Sequence, residues 1–252
     1  MGMNIRQMQI LEHVRGSGRA SVEELAAALG VTPQTIRRDL AELAGQGALD
    51  RVHGGAILRS GASNIAYEER RRMNDEAKTA IGRACAAQIP DNSSVILNIG
   101  TTTEAVARAL LRHRDLTVIT NNMNVANILA ANDSCEVVVA GGLLRRSDGG
   151  LVGDLTSEFM ANFKTDYAIV GCSALDEDGD ILDFDMAEVR VSRAILQQAR
   201  ERWLVTDAAK LGRKAPIRVV SLGELDAVFI DQPLPAALAR LCDEGGTRVV
   251  VA

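Results

Sequence analysis

The sequence predicts an α/β chain in two parts: a short helical head carrying a small β hairpin, and a larger body built on a mainly parallel sheet. Three observations predict it. The hydrophobic period changes near residue 60, from short amphipathic helices to apolar runs of strand length that alternate with helical stretches. The change coincides with Arg59-Ser60-Gly61-Ala62-Ser63-Asn64, a small polar stretch of linker composition. Charge divides at nearly the same place: residues 1–72 carry ten arginines, no lysine and eight acids, a net +2, whereas the remainder carries −7. A basic-leaning head on an acidic body is compatible with nucleic-acid binding by the head alone. The boundaries read as 1–60 for the head, 61–77 for a linker or hinge and 78–252 for the body. The charged run Glu68-Glu69-Arg70-Arg71-Arg72 reads as a solvated face or part of that hinge.

Composition bounds the class. The 252 residues are 47% hydrophobic and 24% charged, an ordinary globular balance with enough apolar content for a sizeable core. Long disorder, collagen-like repeats and a disulfide scaffold are excluded. Aromatics are 3%, so aliphatic side chains must build the core. Cys85, Cys135, Cys172 and Cys242 are too far apart for a C-x-x-C or zinc pair and read as reduced, buried thiols. The start, MGMNIRQMQILEHVRG, has no apolar region or cleavage site, and no stretch approaches ~18 uninterrupted apolar residues. A cytoplasmic protein with no membrane partner is expected.

Along the head, Asn4 to Val14 places Met8, Leu11 and Val14 on one helical face. Ser21-Val22-Glu23-Glu24 is a capping box, followed by Leu25, Ala28 and Leu29 as a buried stripe and Gly30 as the stop. A second helix restarts at once, with Thr32 suited to the N-cap and Pro33 to the first turn. Ile36, Leu40 and Leu43 then share a face, leaving Gln34 and Arg38 opposite and Thr35 and Arg37 flanking. Two helices around a glycine turn, the second with a polar N-terminal face, describe a helix-turn-helix. Its second helix would enter the major groove of double-stranded DNA, where Arg37 or Arg38 reads guanine and Gln34 adenine. Thr32 and Thr35 suit phosphate oxygens, and Ser21 joins the DNA-contacting set. The alternative is a surface helix with an Arg38–Glu42 ion pair; Arg37 faces Ala41 and has no such partner. Residues 47–58 alternate around a glycine pair and read as a hairpin, a wing from which Arg51 and His53 contact backbone or minor groove. His53 also reads as a plain turn residue.

In the body, Lys78 to Gln88 reads as a helix ended by Pro90. Strands are expected at 94–99, 116–120, 135–140, 167–171, 203–206, 217–221, 227–230 and 248–251, with helices at 104–111, 125–131, 188–199 and 235–242. Ligands of such sheets sit outside the carboxyl ends of the strands. There, Asn98-Ile99-Gly100-Thr101-Thr102-Thr103-Glu104 runs from strand into helix. Its glycine, three hydroxyls and helix N–H groups form a generic phosphate cradle. Thr120-Asn121-Asn122 and Ala140-Gly141-Gly142 end the next two strands; Arg145 and Arg146 follow, and Asp207 and Lys210 lie after Thr206. The candidate ligand set is Gly100, Thr101, Thr102, Thr103, Asn122, Gly141, Gly142, Arg145, Asp207 and Lys210. A Gly-Thr turn alone reads as ordinary capping; convergence on successive strand ends, with cations beside them, points to an anionic ligand.

Thr32-Pro33-Gln34-Thr35-Ile36-Arg37-Arg38-Asp39-Leu40 and Arg51-Val52-His53-Gly54-Gly55-Ala56 resemble the DNA-binding head of the DeoR family of bacterial repressors. Ile99-Gly100-Thr101-Thr102, Thr120-Asn121-Asn122, Ala140-Gly141-Gly142, Asp148-Gly149-Gly150 and Glu188-Val189-Arg190 resemble the sensor domain of that family, so the resemblance spans nearly the whole chain. It implies a winged helix-turn-helix and a sensor similar in fold to ribose-5-phosphate isomerase. It further implies a sugar-phosphate or polyol-phosphate effector, glycerol 3-phosphate first, that lowers operator affinity. The family usually places Asp before the Gly-Thr-Thr loop, where this chain has Asn98.

An isomerase needs a carboxylate base to move a proton beside a carbonyl. That enzyme family draws its acids from a D-G-A-D-E string after a central strand; the approximate counterpart here, Gly171-Cys172-Ser173-Ala174-Leu175, has none. Asp176, Asp178 and Asp180 read as solvated loop acids, and Asp183, Asp185 and Glu188 suit ligand hydroxyls, helix capping or the surface equally. Binding without turnover is expected, with no cofactor and no metal. A homodimer or homotetramer is expected to match operator half-sites spaced by helical turns.

Overall fold

A computed structural model describes residues 4–17, 19–45, 48–52, 54–57 and 67–252. Contacts divide the chain into two units, 1–64 and 65–252. Among the described residues no helix is long and apolar enough to cross a membrane.

The first unit runs α1 (Ile5–Ser17), β1 (Arg19–Ser21), α2 (Val22–Leu29), α3 (Pro33–Gly45), β2 (Asp50–Val52) and β3 (Gly55–Ile57). The capping box forms as expected: Glu24 N–H donates to Ser21 Oγ (3.1 Å) and Ser21 N–H to Glu24 Oε2 (2.8 Å). Thr32 Oγ1 accepts from Thr35 N–H at 3.3 Å. Two buried faces are rotated from the expected ones. Met8 is 48% exposed, and α1 buries Gln7, Ile10, Leu11 and Val14 instead. Ala28 is exposed, and α2 buries Val22, Leu25 and Ala26. In each case one more residue fits the i, i+3, i+4 stripe and displaces its neighbour. Two hydrogen bonds to carboxylates lock α1 to α3: Arg6 Nε donates to the buried Asp39 (2.6 Å) and Gln7 Nε2 to Glu42 (2.7 Å). The wing has a third strand, because β1 pairs with β3 on the side opposite β2.

The second unit begins with α4 (Tyr67–Arg72) and α5 (Asp75–Ala86), so 67–77, read as hinge from the sequence, is mostly helix here. It continues β4 (Ser94–Leu97), α6 (Thr101–Ala109), β5 (Leu116–Thr120), α7 (Met123–Leu129), β6 (Cys135–Val139), β7 (Leu143–Arg145), β8 (Gly150–Val152), α8 (Asp154–Met160) and β9 (Thr165–Val170). Then come β10 (Ala174–Leu175), β11 (Asp180–Asp183), α9 (Met186–Leu196), β12 (Ala199–Val205), β13 (Ile217–Ser221), β14 (Ala227–Ile230), α10 (Ala236–Gly245) and β15 (Arg248–Val251). Seven strands form one parallel sheet in the order β15-β14-β12-β9-β4-β5-β6.

Both faces of that sheet are covered, as continuous apolar strands require. Val95, Leu97, Val118, Ile169, Trp203 and Phe229 pack beneath α5, α6 and α7; their neighbours Ile96, Ile119, Ala168, Val170, Leu204 and Val228 pack beneath α8, α9 and α10. The strand expected at 217–221 forms outside this sheet: β13 pairs antiparallel with β11. Its alternation explains why, since Val219 is buried while the exposed Arg218 bonds Asp180 (2.6 Å) and Glu224 (3.0 Å), a pattern suited to a sheet with one wet face. All four cysteines are free thiols; Cys85 and Cys242 are buried, whereas Cys135 and Cys172 are only partly so.

The strand order fixes where a ligand fits. From β4 the chain winds outward through β5 and β6, whereas β9, on the other flank of β4, begins the walk to β15. The crevice outside the carboxyl ends of β4 and β9 is therefore the topological switch point of the sheet.

Candidate functional site

In the head, α3 presents Gln34, Arg37 and Arg38 exposed on one side, while Ile36, Leu40 and Leu43 are buried on the other. Thr32 is exposed and Thr35 half-buried at its start, and their hydroxyls bond each other at 2.9 Å. Both arginines have surface ion pairs, Arg38 with Glu42 (3.4 Å) and Arg37 with Glu23 of α2 (3.9 Å). The second pair escapes any reading confined to one helix. Such exposed pairs are worth roughly 0–1 kcal/mol and exchange readily for phosphate or base contacts. The Ser21 hydroxyl is committed to its cap. Arg51 lies in β2, its side chain outside the described ones, and His53 lies outside the described residues.

In the second unit a cleft open to solvent lies at the switch point. The turn after β4 lines it with Ile99, Gly100, Thr101 and Thr102; the turn after β9 lines it with Gly171, Cys172 and Ser173. Lys210 enters from the 3-10 turn after β12. Gly100 sits at φ 146°, where a side chain is strained, and a Cβ there would meet Thr103 Oγ1 at 3.3 Å. The loop can thus start α6 with its N–H groups at the cleft, the arrangement that binds anions.

Four of the ten predicted ligand residues line this cleft: Gly100, Thr101, Thr102 and Lys210. The other six do not, each for a visible reason. Thr103 is fully buried and donates to Gly100 O at 2.7 Å. Asn122 is buried and caps α7, accepting from Asn124 and Val125 N–H. Gly141 and Gly142 lead into the β7–β8 hairpin, where Gly141 O accepts from Thr156 (2.8 Å). Asp207 caps its turn and accepts from Asn74 Nδ2 (3.1 Å). Arg145 is neutralised by Asp148 (2.6 Å), Glu188 (2.7 Å) and Asp185 (3.0 Å), carboxylates that hold its guanidinium charged despite burial. Asn98 also turns away: its Nδ2 donates to Ser192 Oγ at 2.8 Å and its Oδ1 accepts from Ile99 N–H.

The sequence reading left out of its set four charged or phenolic side chains that do line the cleft besides Asp148: Tyr67 and Arg70 from α4, Asp183 from β11 and Glu188 from α9. The sequence offered ligand contact for Asp183 and Glu188 only as one of several equal readings and for Tyr67 and Arg70 not at all; the fold brings all four to one cleft. Their charges fall into two groups. Burial, then the neighbouring Arg213 cation, holds the Lys210 ammonium below the usual lysine range, and burial likewise lowers Arg213. Those cations repel one another. Burial raises Asp183, and burial together with Asp183 pushes Glu188 up to about 7. Ser173 Oγ donates to Asp183 at 3.1 Å. Burial also pushes the Cys172 thiol up to about 11, which keeps it protonated and unreactive. Among the described residues no cluster of three or more His, Cys, Asp or Glu is arranged to hold a metal ion.

A winged helix-turn-helix with an exposed basic face, on one chain with a parallel α/β unit and its charged cleft, defines a two-part transcription regulator. Residues 6–61 match the DeoR-like helix-turn-helix domain, and residues 73–232 the DeoR C terminal sensor domain. The chain belongs to the DeoR family of transcriptional repressors. The glycerol-3-phosphate regulon repressor of Escherichia coli is 44% identical over 236 residues, covering 94% of this chain and 94% of the relative. The repressor of the same name in Haemophilus influenzae is 42% identical over 251 residues, 100% of this chain and 98% of the relative. The HTH-type transcriptional repressor CsqR of Escherichia coli is 40% identical over 248 residues, 98% and 95%. Among solved structures, ribose 5-phosphate isomerase A of Methanocaldococcus jannaschii aligns over 55% of each chain at a TM-score of 0.41 and 13% identity, from which nothing about activity follows.

Proposed function

We propose that the chain is a cytoplasmic repressor that binds operator DNA as a homodimer or homotetramer and releases it when a phosphorylated polyol, glycerol 3-phosphate first, fills the cleft. One observation carries the reading. Lys210, crowded by Arg213, faces the cleft beside the open N-terminus of α6, while Asp183 and Glu188 face it from the other group. A phosphate ester of a polyol needs both: an anion relieves the cation repulsion, and hydroxyl donors suit buried carboxylates. The names of the relatives in Escherichia coli and Haemophilus influenzae support glycerol 3-phosphate. Specific DNA contacts fall to Gln34, Arg37 and Arg38, with Arg51 and His53 on the wing.

Mobility shifts of the operator with and without glycerol 3-phosphate test this; unchanged affinity at saturating ligand excludes that effector. A thermal-shift screen of phosphorylated sugars and polyols then identifies the right one, since a ligand of the folded state raises the melting temperature. A second reading, a sugar-phosphate isomerase, draws on Glu188, whose value near 7 in a cleft is what a general base needs. Its Oε2 is committed to Arg145 at 2.7 Å, however, and the head would be idle. No turnover of ribose 5-phosphate is expected.

A further inference from the structure

Helix α4 lies outside both matched regions, 6–61 and 73–232, yet it lines the cleft with Tyr67 and Arg70. Both of its ends are fastened. The Tyr67 hydroxyl donates to the buried Glu104 carboxylate at 2.9 Å, and Asn124 Nδ2 donates to both Tyr67 Oη (3.0 Å) and Glu104 (3.1 Å). At the far end the buried Lys78 ammonium donates to the carbonyls of Arg70 and Met73, replacing partners that a helix end lacks.

The guanidinium between these anchors is less well served. Asp148 stands 3.6 Å from a terminal nitrogen of Arg70, and Asp148 is already held by Arg145 in a two-pronged bond, at 2.6 and 2.9 Å. Among the described residues Arg70 Nε is buried without an acceptor. A buried donor left unmade is costly, and a guanidinium fork matches phosphate oxygens. We propose that Arg70 is an effector-contacting residue, its guanidinium taking the ligand's phosphate group and gaining the acceptor that Asp148 does not supply. This rests on reading the cleft as a phosphate-ester site. It also gives α4 a role: α4 is the first described element after the DNA-binding head, so a ligand that engages Arg70 acts on the helix from which the chain leads back to that head.

Isothermal titration of the full chain with two probes, glycerol 3-phosphate and orthophosphate, tests the assignment. Arg70→Ala should lower affinity for both by on the order of 10- to 100-fold. Arg70→Lys, which keeps the charge and loses the fork, should fall between. Arg72→Ala, an equal charge change on the exposed side of α4, should stay within about twofold. No loss at Arg70→Ala, or an equal loss at Arg72→Ala, overturns the proposal. Hydrogen exchange adds a second readout: either probe should protect the amides of 67–72 in the wild type but not in Arg70→Ala, while 101–104 gain protection in both. Orthophosphate binding without glycerol 3-phosphate binding removes the polyol reading and leaves Arg70 to be judged on orthophosphate. If neither probe binds the wild type, both readings fall.

Discussion

Arg37 and Arg38 face solvent with only weak ion pairs to give up, so what they contribute on DNA can be measured by truncation. Arg37→Ala should weaken specific operator binding by ~1–3 kcal/mol if the side chain reads a base. Titrations against operator and random duplex at one salt concentration decide it, because an equal loss on both means a phosphate contact. Glu188 makes a prediction of the opposite character. Its folded value near 7 lies above the 4.5 of a free glutamate, chiefly through burial and then Asp183. The folded state therefore binds more protons than the unfolded chain between those values. The stability this group contributes is fully present below about pH 4.5 and lost as pH rises through about 7. Glu188→Gln should stabilise the ligand-free protein at pH 8, on the order of 1–3 kcal/mol, and gain little at pH 4.5. Chemical denaturation across that range checks it; a gain independent of pH would mean the carboxylate was not raised. None of this was legible from the sequence, which left Glu188 equally suited to ligand, cap and surface. Burial and the neighbouring Asp183 decide between these, and both are properties of the fold.

Helices and their ends were the most legible elements, because caps are local chemistry: the Ser21 box, the Gly30 stop and the Thr32 start depend on residues within four positions. Which face each helix buries was less so, and the extra wing strand β1 not at all, since its partner β3 is more than thirty positions away. The same limit applied to the phosphate loop. Its glycine and threonines were visible, but what holds α6 in place is α5, packed against it so closely that a Cβ at Gly82 would lie 2.7 Å from the backbone of Ala105. Gly82→Ala should therefore be destabilising by ~1–3 kcal/mol, the overlap outweighing the ~1 kcal/mol of helix propensity it gains. Because α6 must shift its axis to relieve the overlap, ligand affinity should fall as well. Thermal melts with and without ligand check both; a stabilised variant would mean that α5 and α6 are not in contact at this point.

At the scale of the whole molecule, the sequence showed that candidate residues sit on successive strand ends but not which of those ends adjoin. Strand order supplies that: β4 and β9 are neighbours, so their turns line the cleft, whereas the turns after β5 and β6 are turned to capping and to a hairpin. Three of the six expected contacts that fell away, Asn122, Gly141 and Gly142, did so for this reason, while Thr103, Asp207 and Arg145 are taken up by local bonds; Tyr67 and Arg70 came in from the stretch read as hinge. A cleft in one unit and a reading helix in the other can communicate only as a free-energy coupling, and such a coupling is reciprocal. If saturating effector lowers operator affinity by a factor typically between ~5 and 150, then saturating operator must lower effector affinity by that same factor. Effector titrations with and without excess operator duplex, at one salt and one protein concentration, measure the second factor; mobility shifts measure the first. Protein concentration has to be fixed because an oligomer that changes size on binding adds its own equilibrium to one arm of the cycle. Equal factors place the whole response in the two sites and the chain between them. Unequal factors that converge as the protein is concentrated would instead assign the difference to subunit association.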